Sequence, residues 1–225
     1  MNYSNLTIFL AELVGTFGLV VAATGSIVYD GSLNFSLGPV FVAGMHFLGL
    51  SILVLSFGKY SMAHFNPAIT IGFTITGYLN PKKIPMYFLA QGIGAISGSL
   101  FVKYAIGNFA KLGLNFPNNE FSLPVIFGVE VLATIFLMGG ILLAIHFKKI
   151  HLGIIAMIVG TLVALDVFFL GPISGASMNP IRSLAPAVVT GIPDDLWLYW
   201  TAPFIGSALV ALFFHKKFPK PKISE

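Results

Sequence analysis

Two similar tripeptides in corresponding parts of the chain carry the residues best suited to chemistry: Asn66-Pro67-Ala68 and Asn179-Pro180-Ile181. Asparagine is a favoured helix N-cap and proline fits the first helical position, so each tripeptide predicts the start of a helix. The apolar stretches that follow run only from Asn66 to Tyr78 and from Asn179 to Thr190. Crossing a hydrocarbon core takes about 20 helical residues, so these half-helices should enter the membrane and turn back. Such a pair indicates a pore.

The amide at each helix tip is a candidate hydrogen-bond donor for a molecule inside the pore. A helix N-terminus carries a partial positive charge of about half a unit, so two tips that meet at mid-membrane would create a positive electrostatic maximum. Capping fixes the side-chain oxygens of Asn66 and Asn179 on the backbone and leaves both NH2 groups for the lumen. Two donors would then hold the oxygen of one water.

Glu12, Glu130 and Arg182 are charged residues that lie in otherwise apolar stretches. Arg182 is the only arginine in the chain and follows the second tripeptide directly. An arginine at the centre of a membrane helix costs at least about 2.5–3.5 kcal/mol on insertion scales, so a surface role is unfavourable here. Glu12 and Glu130, taken alone, are candidates for proton relays because intramembrane carboxylates usually have a function.

The composition is that of an integral membrane protein. Of the 225 residues, 56% are hydrophobic and only 9% are charged, whereas a soluble domain carries about 25% charged residues. With no cysteine, disulfides and thiolate metal or redox sites are excluded. We expect no metal, no cofactor and no nucleic-acid partner. An enzyme is not expected either, because the sequence has no nucleophile–base constellation, phosphate loop or metal cluster.

Six long apolar runs approximate the length that crosses a bilayer. They are Leu6–Val28, Gly38–Phe57, Ile84–Ile106, Phe121–His146, Leu152–Leu170 and Leu196–Phe214. Small residues four apart, such as Gly94 with Gly98 and Ala202 with Gly206, predict close contact between helices of one bundle. We interpret residues 1–225 as one all-α membrane channel domain with six transmembrane helices and two re-entrant half-helices.

The lysines indicate the orientation in the membrane. Nine fall on one side of a six-span arrangement: Lys59, Lys82, Lys83, Lys148, Lys149, Lys216, Lys217, Lys220 and Lys222. The other side receives Asp30, Glu120, Asp194 and Asp195 with only two lysines. By the positive-inside rule both termini are cytoplasmic. Residues 216–225 are then a basic cytoplasmic tail near anionic lipid headgroups.

The two halves of the chain resemble each other. Glu12 with Thr16 in the first run has a counterpart in Glu130 with Thr134 in the fourth run. Three spans per half mean that the second copy enters the membrane from the opposite face. The expected architecture is an inverted repeat, with repeat one at about residues 1–115, repeat two at about 121–215 and functional sites at the midplane.

Together these features resemble the aquaporin (major intrinsic protein) family. The stretch Ser61-Met62-Ala63-His64-Phe65-Asn66 is similar to the start of its first signature loop, and residues 171–183 are similar to the second, most like archaeal, bacterial and plant nodulin-type members. The resemblance implies a right-handed aquaporin-like bundle in the cell membrane and a homotetramer with one pore per subunit. It also implies a passive channel that conducts water in single file past Asn66 and Asn179 and excludes protons and ions.

The resemblance further implies a selectivity filter. Arg182 would border the narrowest constriction, donate hydrogen bonds to solutes and repel cations. Family spacing from the second tripeptide adds Ala176 and Val167 to this filter. Family spacing from the first tripeptide adds His46, or Leu48 if a deletion lies between.

The remaining site residues follow from the same resemblance. The backbone carbonyls that would line the pore belong to Met62, Ala63, His64, Gly175, Ala176 and Ser177. Glu12 and Glu130 would brace the re-entrant loops by accepting backbone N–H groups instead of lining the pore. Two residues depart from the family pattern: Ile181 replaces an alanine beside the midplane, and Met62 replaces a glycine before the first tripeptide.

A broader facilitator of small neutral solutes is the main alternative. The small side chains of Val167 and Ala176 would leave the filter open to glycerol, ammonia or urea. Four positions match the water-conducting type of the family and favour water: Ser183, Ala187, Tyr199 and Trp200.

A more remote alternative is an ion- or proton-coupled secondary transporter, a class that also uses inverted repeats and broken helices. Glu12, Glu130 and Asp166 would be its ionisable groups. Asp166 is adjacent to Val167 and could pair with His46 or face a loop amide.

Overall fold

The computed structural model describes residues 3–146 and 150–218, and these residues form a bundle of helices. In chain order the α-helices of that part are α1 (Asn5–Ser32), α2 (Gly38–Ser61), α3 (Pro67–Ile75), α4 (Ile84–Ala105), α5 (Leu123–His146), α6 (Leu152–Phe169), α7 (Gly171–Ser174), α8 (Pro180–Thr190) and α9 (Leu196–Lys217). Two short 3₁₀ turns cover Pro81–Lys83 and Ala110–Gly113. Six of the helices are long and apolar enough to cross a membrane: α1, α2, α4, α5, α6 and α9.

The six predicted spans are confirmed, and their ends differ from the observed helix ends by at most four residues. Some residues of the orientation argument lie outside the described part of the chain. They are Lys148 and Lys149 in the α5–α6 connection and residues 219–225 of the basic tail, which include Lys220 and Lys222.

The two predicted half-helices are α3 and α8. They have 9 and 11 residues, so neither can cross a bilayer by itself. α3 ends at Ile75, before the predicted Tyr78, because Gly77 adopts a φ of 79° and starts a Schellman turn. In that turn the Tyr78 N–H donates to the Phe73 carbonyl at 2.8 Å, which satisfies an end carbonyl of the helix.

Each half-helix packs against a membrane span from the other half of the chain. α3 contacts α9, and α8 contacts α4. The Ser207 hydroxyl on α9 donates to the Ala68 carbonyl on α3 at 2.6 Å. This exchange locks the two halves together around the half-helices.

Glycines allow the same close helix pair to form in both halves. A Cβ on Gly94 of α4 would lie 2.3 Å from the Leu13 carbonyl oxygen of α1. A Cβ on Gly206 of α9 would lie 2.4 Å from the Val131 carbonyl oxygen of α5. Helix backbones can approach this closely only where a side chain is absent, so the predicted small-residue pairs serve packing inside the bundle.

Candidate functional site

The tips of α3 and α8 meet through the two asparagines of the tripeptides. Each side-chain oxygen caps its own helix: Asn66 Oδ1 accepts from the Ala68 N–H at 2.9 Å, and Asn179 Oδ1 accepts from the Ile181 N–H at 3.2 Å. Each Nδ2 donates across to the other loop. Asn66 reaches the Met178 carbonyl at 2.8 Å.

Asn179 completes the pair by donating to the Phe65 carbonyl at 2.9 Å. A carboxamide NH2 group has two N–H bonds, so each asparagine keeps one donor after this exchange. The sequence-based expectation that both N–H bonds face the lumen is therefore corrected to one per asparagine. Asn66 and Asn179 both line the same cavity, which we call the central cavity.

Three cavities in the described part of the bundle adjoin one another through shared lining residues. The central cavity is lined on its polar side by His46, His64, Asn66, Ser177, Asn179 and Arg182. An upper cavity, which includes Asp30, Phe116 and Val167, shares Arg182 with it. A lower cavity, which includes Val54, Phe73 and Tyr78, shares Ala63, Ile69, Ile141 and Val159 with it. The asparagine pair thus lies between two vestibules.

Arg182 stands where the central and upper cavities meet. It is 4% exposed, and its position in the first turn of α8 directs it to the connection between α4 and α5. Its Nη1 donates to the Gly113 carbonyl at 2.8 Å and to Asn115 Oδ1. Two acceptors therefore hold the guanidinium at the boundary of the pore.

The other predicted filter residues divide between the two cavities. His46 and Ala176 line the central cavity together with Arg182. Val167 lines the upper cavity instead, and Val163, one turn earlier on α6, lines the central one. Leu48, the alternative to His46, is 51% exposed on the outer surface of the bundle.

The hydrogen bond of His46 defines what its ring can offer to a solute. Nδ1 lies 2.8 Å from the Val42 carbonyl oxygen, and a carbonyl can only accept, so Nδ1 carries a proton. In the neutral imidazole Nε2 is then an acceptor. The central cavity thus combines a histidine acceptor with the donors of Arg182.

The extended loops before α3 and α8 have matching backbone conformations. Residues with positive φ in the first loop are Met62 (67°), Ala63 (50°) and Phe65 (48°), and in the second loop Gly175 (89°), Ala176 (43°) and Met178 (53°). Such conformations cost roughly 1–3 kcal/mol each for residues other than glycine and persist where the surroundings hold them. They are the strained segments that carry the predicted pore carbonyls.

The predicted carbonyl residues are distributed along the three cavities. Ala63, His64, Ala176 and Ser177 line the central cavity, and Met62 lines the lower one. Gly175 lines the upper cavity, and its carbonyl accepts from Asn115 Nδ2 at 2.7 Å. One of the two lone pairs of that carbonyl is therefore already used.

Glu12 binds the loop before α3. Its Oε1 accepts from the Ser61 hydroxyl at 2.6 Å and the His64 N–H at 2.9 Å, and its Oε2 accepts from the Phe65 N–H and Gln91 Nε2, both at 2.8 Å. The carboxylate is fully buried. Four donors therefore satisfy it away from the cavity lining.

Glu130 binds the loop before α8 in the same way. Its Oε1 accepts from the Ser174 hydroxyl at 2.7 Å and the Ser177 N–H at 2.9 Å. Its Oε2 accepts from the Ser177 and Met178 N–H groups, each at 3.2 Å. Both glutamates thus accept backbone N–H groups, as the family resemblance implied.

Several residues of this frame were not predicted from the sequence. Tyr87 and Tyr199 donate to the Ser61 and Ser174 carbonyls at 2.7 and 2.6 Å. The two serines precede their asparagines by the same number of residues, which is a signal that the sequence offers. Asn115 lies in a polar connection and offers no such signal.

The structure shows the surroundings of three residues to whose side chains the sequence assigned no definite role in the pore. Ile181 packs with Val20, Ala95 and Ala185, so its extra volume lies outside the cavity lining. The His64 side chain is buried, and its Nδ1 lies 3.1 Å from Thr70 Oγ1. Asp166 is also buried, and its Oδ2 has no hydrogen-bond partner among the described residues. Nothing in the structure explains Asp166.

Six spans, two re-entrant half-helices and a row of cavities between them define a multi-pass membrane channel. The major intrinsic protein model matches residues 1–214, and the chain belongs to that family. It is a passive channel for water or small solutes and not an enzyme.

The relatives and the structural neighbour agree with this family. The chain is 37% identical to a probable aquaporin, NIP7-1, from Arabidopsis thaliana over 94% of this chain and 77% of the relative. It is 34% identical to aquaporin TIP2-3 from the same plant over 95% and 88% of the two chains. The aquaglyceroporin from Plasmodium falciparum superposes with a TM-score of 0.86 at 25% identity, covering 95% of this chain and 97% of the other.

Proposed function

We propose that this channel conducts water in single file and that Asn66 and Asn179 are its central donors. The observation that carries the proposal is the cross-bonded asparagine pair, which lines the central cavity and keeps one N–H per amide for a solute. A water held by its oxygen between two donors at two positive helix tips cannot pass a proton along the file. Cations meet the same positive potential.

The selectivity filter in this proposal consists of Arg182, His46 and Ala176, with Val167 at its upper entrance. Arg182 supplies fixed donors and positive charge, and His46 supplies an acceptor. The remaining wall includes the apolar Ala22, Ala23 and Val163.

A second candidate is a broader facilitator of glycerol, ammonia or urea, which the apolar wall of the central cavity favours. Two of the residues that argued for water have structural contacts instead. Ser183 is hydrogen-bonded to Asn115 at 2.7 Å, and Tyr199 donates to Ser174. Both hold the loop before α8 and leave the choice of solute to the filter.

The wider arrangement is part of the same proposal. The protein is a single channel domain of two repeats, at about residues 1–115 and 121–215, whose interface forms the pore. It lies in the cell membrane with both termini in the cytoplasm, supported by lysines such as Lys59, Lys82 and Lys83 on one side. It assembles as a homotetramer with one pore per subunit.

The test is a comparison of solutes in one proteoliposome preparation. Stopped-flow light scattering with osmotic gradients gives permeabilities for water, glycerol and urea, and a pH-sensitive dye inside the vesicles reports ammonia entry. We expect water to exceed the other solutes relative to protein-free vesicles. Glycerol or urea flux that rises with protein content as steeply as water flux would favour the facilitator instead.

A further inference from the structure

We propose that Met62 is a specificity-determining residue in the lower vestibule, where its side chain discriminates against hydroxylated solutes larger than water; this inference rests on the proposed channel function. Met62 lies four residues before Asn66, and its counterpart in the second loop is Gly175, four residues before Asn179. Met62 lines the lower cavity, and Gly175 lines the upper one. The repeat therefore has a long side chain in one vestibule and none in the other.

The two vestibules differ in size and polarity. The lower cavity has a volume of about 240 Å³ and the upper one of about 450 Å³. The upper cavity is lined by Asp30, Asn115 and Arg182 among others. Along the lower cavity, within the described part of the chain, the Tyr78 hydroxyl is the one side-chain oxygen or nitrogen. A solute with several hydroxyl groups finds few side-chain partners there, and unpaired polar groups are costly in apolar surroundings.

Met62 stands beside the passage from the lower cavity into the central one. Its chain neighbour Ala63 lines both cavities, as do Ile69, Ile141 and Val159. The Met62 side chain is partly buried and packs against the apolar cluster to which these last three residues belong. A flexible apolar side chain thus borders the point where a solute enters the central cavity.

The backbone of the first loop is held without the Met62 side chain. The Met62 N–H donates to the Gly58 carbonyl at 3.0 Å, and the His64 N–H donates to Glu12 Oε1 at 2.9 Å. Met62 has a φ of 67° and a ψ of 8°, a left-handed conformation that is strained for a residue with a Cβ. The corresponding loop forms with glycine at position 175. Strain that the backbone does not require points to a function of the side chain.

The experiment compares the glycerol-to-water permeability ratio of wild type with the ratios of Met62→Gly, Met62→Ala and Met62→Leu in proteoliposomes. Glycine and alanine make room for water that can hydrogen-bond a passing hydroxyl group, whereas leucine keeps an apolar side chain of similar volume. We expect the ratio to rise about fivefold in Met62→Gly, the change that one net hydrogen bond of ordinary strength produces. It should rise less in Met62→Ala and stay near that of wild type in Met62→Leu.

Unfolding temperatures of the same variants separate selection from a structural effect. Met62→Gly relieves the left-handed strain, so this variant should be at least as stable as wild type while its ratio rises. A methionine that served packing alone would give the opposite pair of results, with lower stability and an unaltered ratio. Met157→Ala is the matched control, because Met157 is 58% exposed on the outer surface of α6, and its ratio should equal that of wild type.

A thiol at position 62 tests whether the side chain faces the conduit. The chain has no cysteine, so Met62→Cys introduces a single thiol. A charged methanethiosulfonate reagent, present inside and outside the vesicles, should lower the water flux of this variant toward the protein-free rate, and dithiothreitol should restore it. Met157→Cys, treated in the same way, should keep its water flux.

The ratio of Met62→Gly is also measured in an Arg182→Val background, because a filter that already stops glycerol would mask a second barrier in series. The rise should be at least as large there as in wild type. An unaltered ratio in both backgrounds would overturn this inference alone. Full water flux through Met62→Cys after labelling, verified by mass spectrometry, would overturn it as well. Absence of water flux in wild-type vesicles would instead overturn the channel proposal beneath it.

Discussion

The two halves of the pore share one frame and differ at its lining. In each half a buried glutamate, a loop serine and a tyrosine hold a strained loop whose asparagine starts a half-helix. The third residue after the asparagine differs: it is Ile69 in the first half and Arg182 in the second, and both line the central cavity. The common frame builds the conduit, and the difference makes one end polar and cationic.

The supporting amides differ in the same way. In the first half Gln91 of α4 donates to Glu12 and, at 3.1 Å, to Thr70 Oγ1. The corresponding position of α9, four residues after its tyrosine, is Pro203. In the second half the amide comes from Asn115 of the inter-repeat connection. The position of Arg182 therefore depends on the connection between the two repeats.

The largest expected effect comes from removing either bracing carboxylate. Glu12→Ala and Glu130→Ala each leave at least three buried donors without an acceptor. At about 1–3 kcal/mol for each unsatisfied group, both variants should lose more than about 3 kcal/mol of folding free energy. Thermal unfolding in detergent, monitored by size-exclusion chromatography, measures the loss of folding free energy.

Glu120→Ala is the control for these two variants because Glu120 is exposed. Its unfolding temperature should match wild type. If only one of the two bracing glutamates proved necessary, the frame would not be shared by the two halves.

The glycine contacts should give the next largest effect. Gly94→Ala and Gly206→Ala force a Cβ against a carbonyl oxygen of the partner helix, and overpacking of this kind costs typically about 1–3 kcal/mol. Equal falls in unfolding temperature are expected for the two. Gly128→Ala is the control, because a Cβ there has open space around it, and its unfolding temperature should equal that of wild type. Unequal decreases in unfolding temperature for Gly94→Ala and Gly206→Ala would show that the two halves are packed differently.

Replacing the arginine should make the two ends of the central cavity alike. Arg182→Val is expected to raise glycerol and urea permeability and proton leak by about tenfold, equivalent to about 1.4 kcal/mol of barrier. Ile69→Val removes one methylene from the lining at the other half-helix and should leave solute permeability and proton leak unchanged. Solute flux and the decay of a pH gradient are measured for both variants in proteoliposomes. Unchanged selectivity in Arg182→Val would show that Arg182 is not part of the filter.

The smallest effect concerns the first strained residue of each loop. Met62 has a φ of 67°, whereas its counterpart Gly175 has a φ of 89°. Met62→Gly should relieve backbone strain and stabilise the protein by up to about 1 kcal/mol, after the entropic cost of glycine is included. Gly175→Ala should act oppositely, because its Cβ would lie 3.1 Å from the Phe116 carbonyl oxygen. Unfolding temperatures that shift in the same direction would contradict this pairing.

Most of the fold could be predicted from the sequence, since apolar length, capping residues and the two similar halves are local signals. These signals predicted the six spans, the half-helices and the role of the two glutamates. The partners of the asparagine amides could not be predicted, because Asn66 and the carbonyl of Met178 are 112 residues apart in the chain. Asn115 was missed for the same reason, being 67 residues from Arg182 in a connection without periodicity.

The filter shows where spacing rules stop. Counting from the second tripeptide placed Val167 in the filter. Val167 lines the upper cavity, which Arg182 also lines, and Val163, one turn earlier on α6, lines the central one. Counting alone also could not decide whether His46 or Leu48 belongs to the filter. Only their burial, 8% against 51%, distinguishes the cavity-lining side chain from the one on the outer surface.

One measurement tests the central claim most directly: osmotic water flux and proton flux recorded on the same wild-type proteoliposomes. An asparagine pair that holds each water by its oxygen predicts vesicles that shrink faster than protein-free vesicles while an imposed pH gradient decays no faster. Shrinkage at the protein-free rate, or a pH gradient that collapses along with the water flux, would contradict the account.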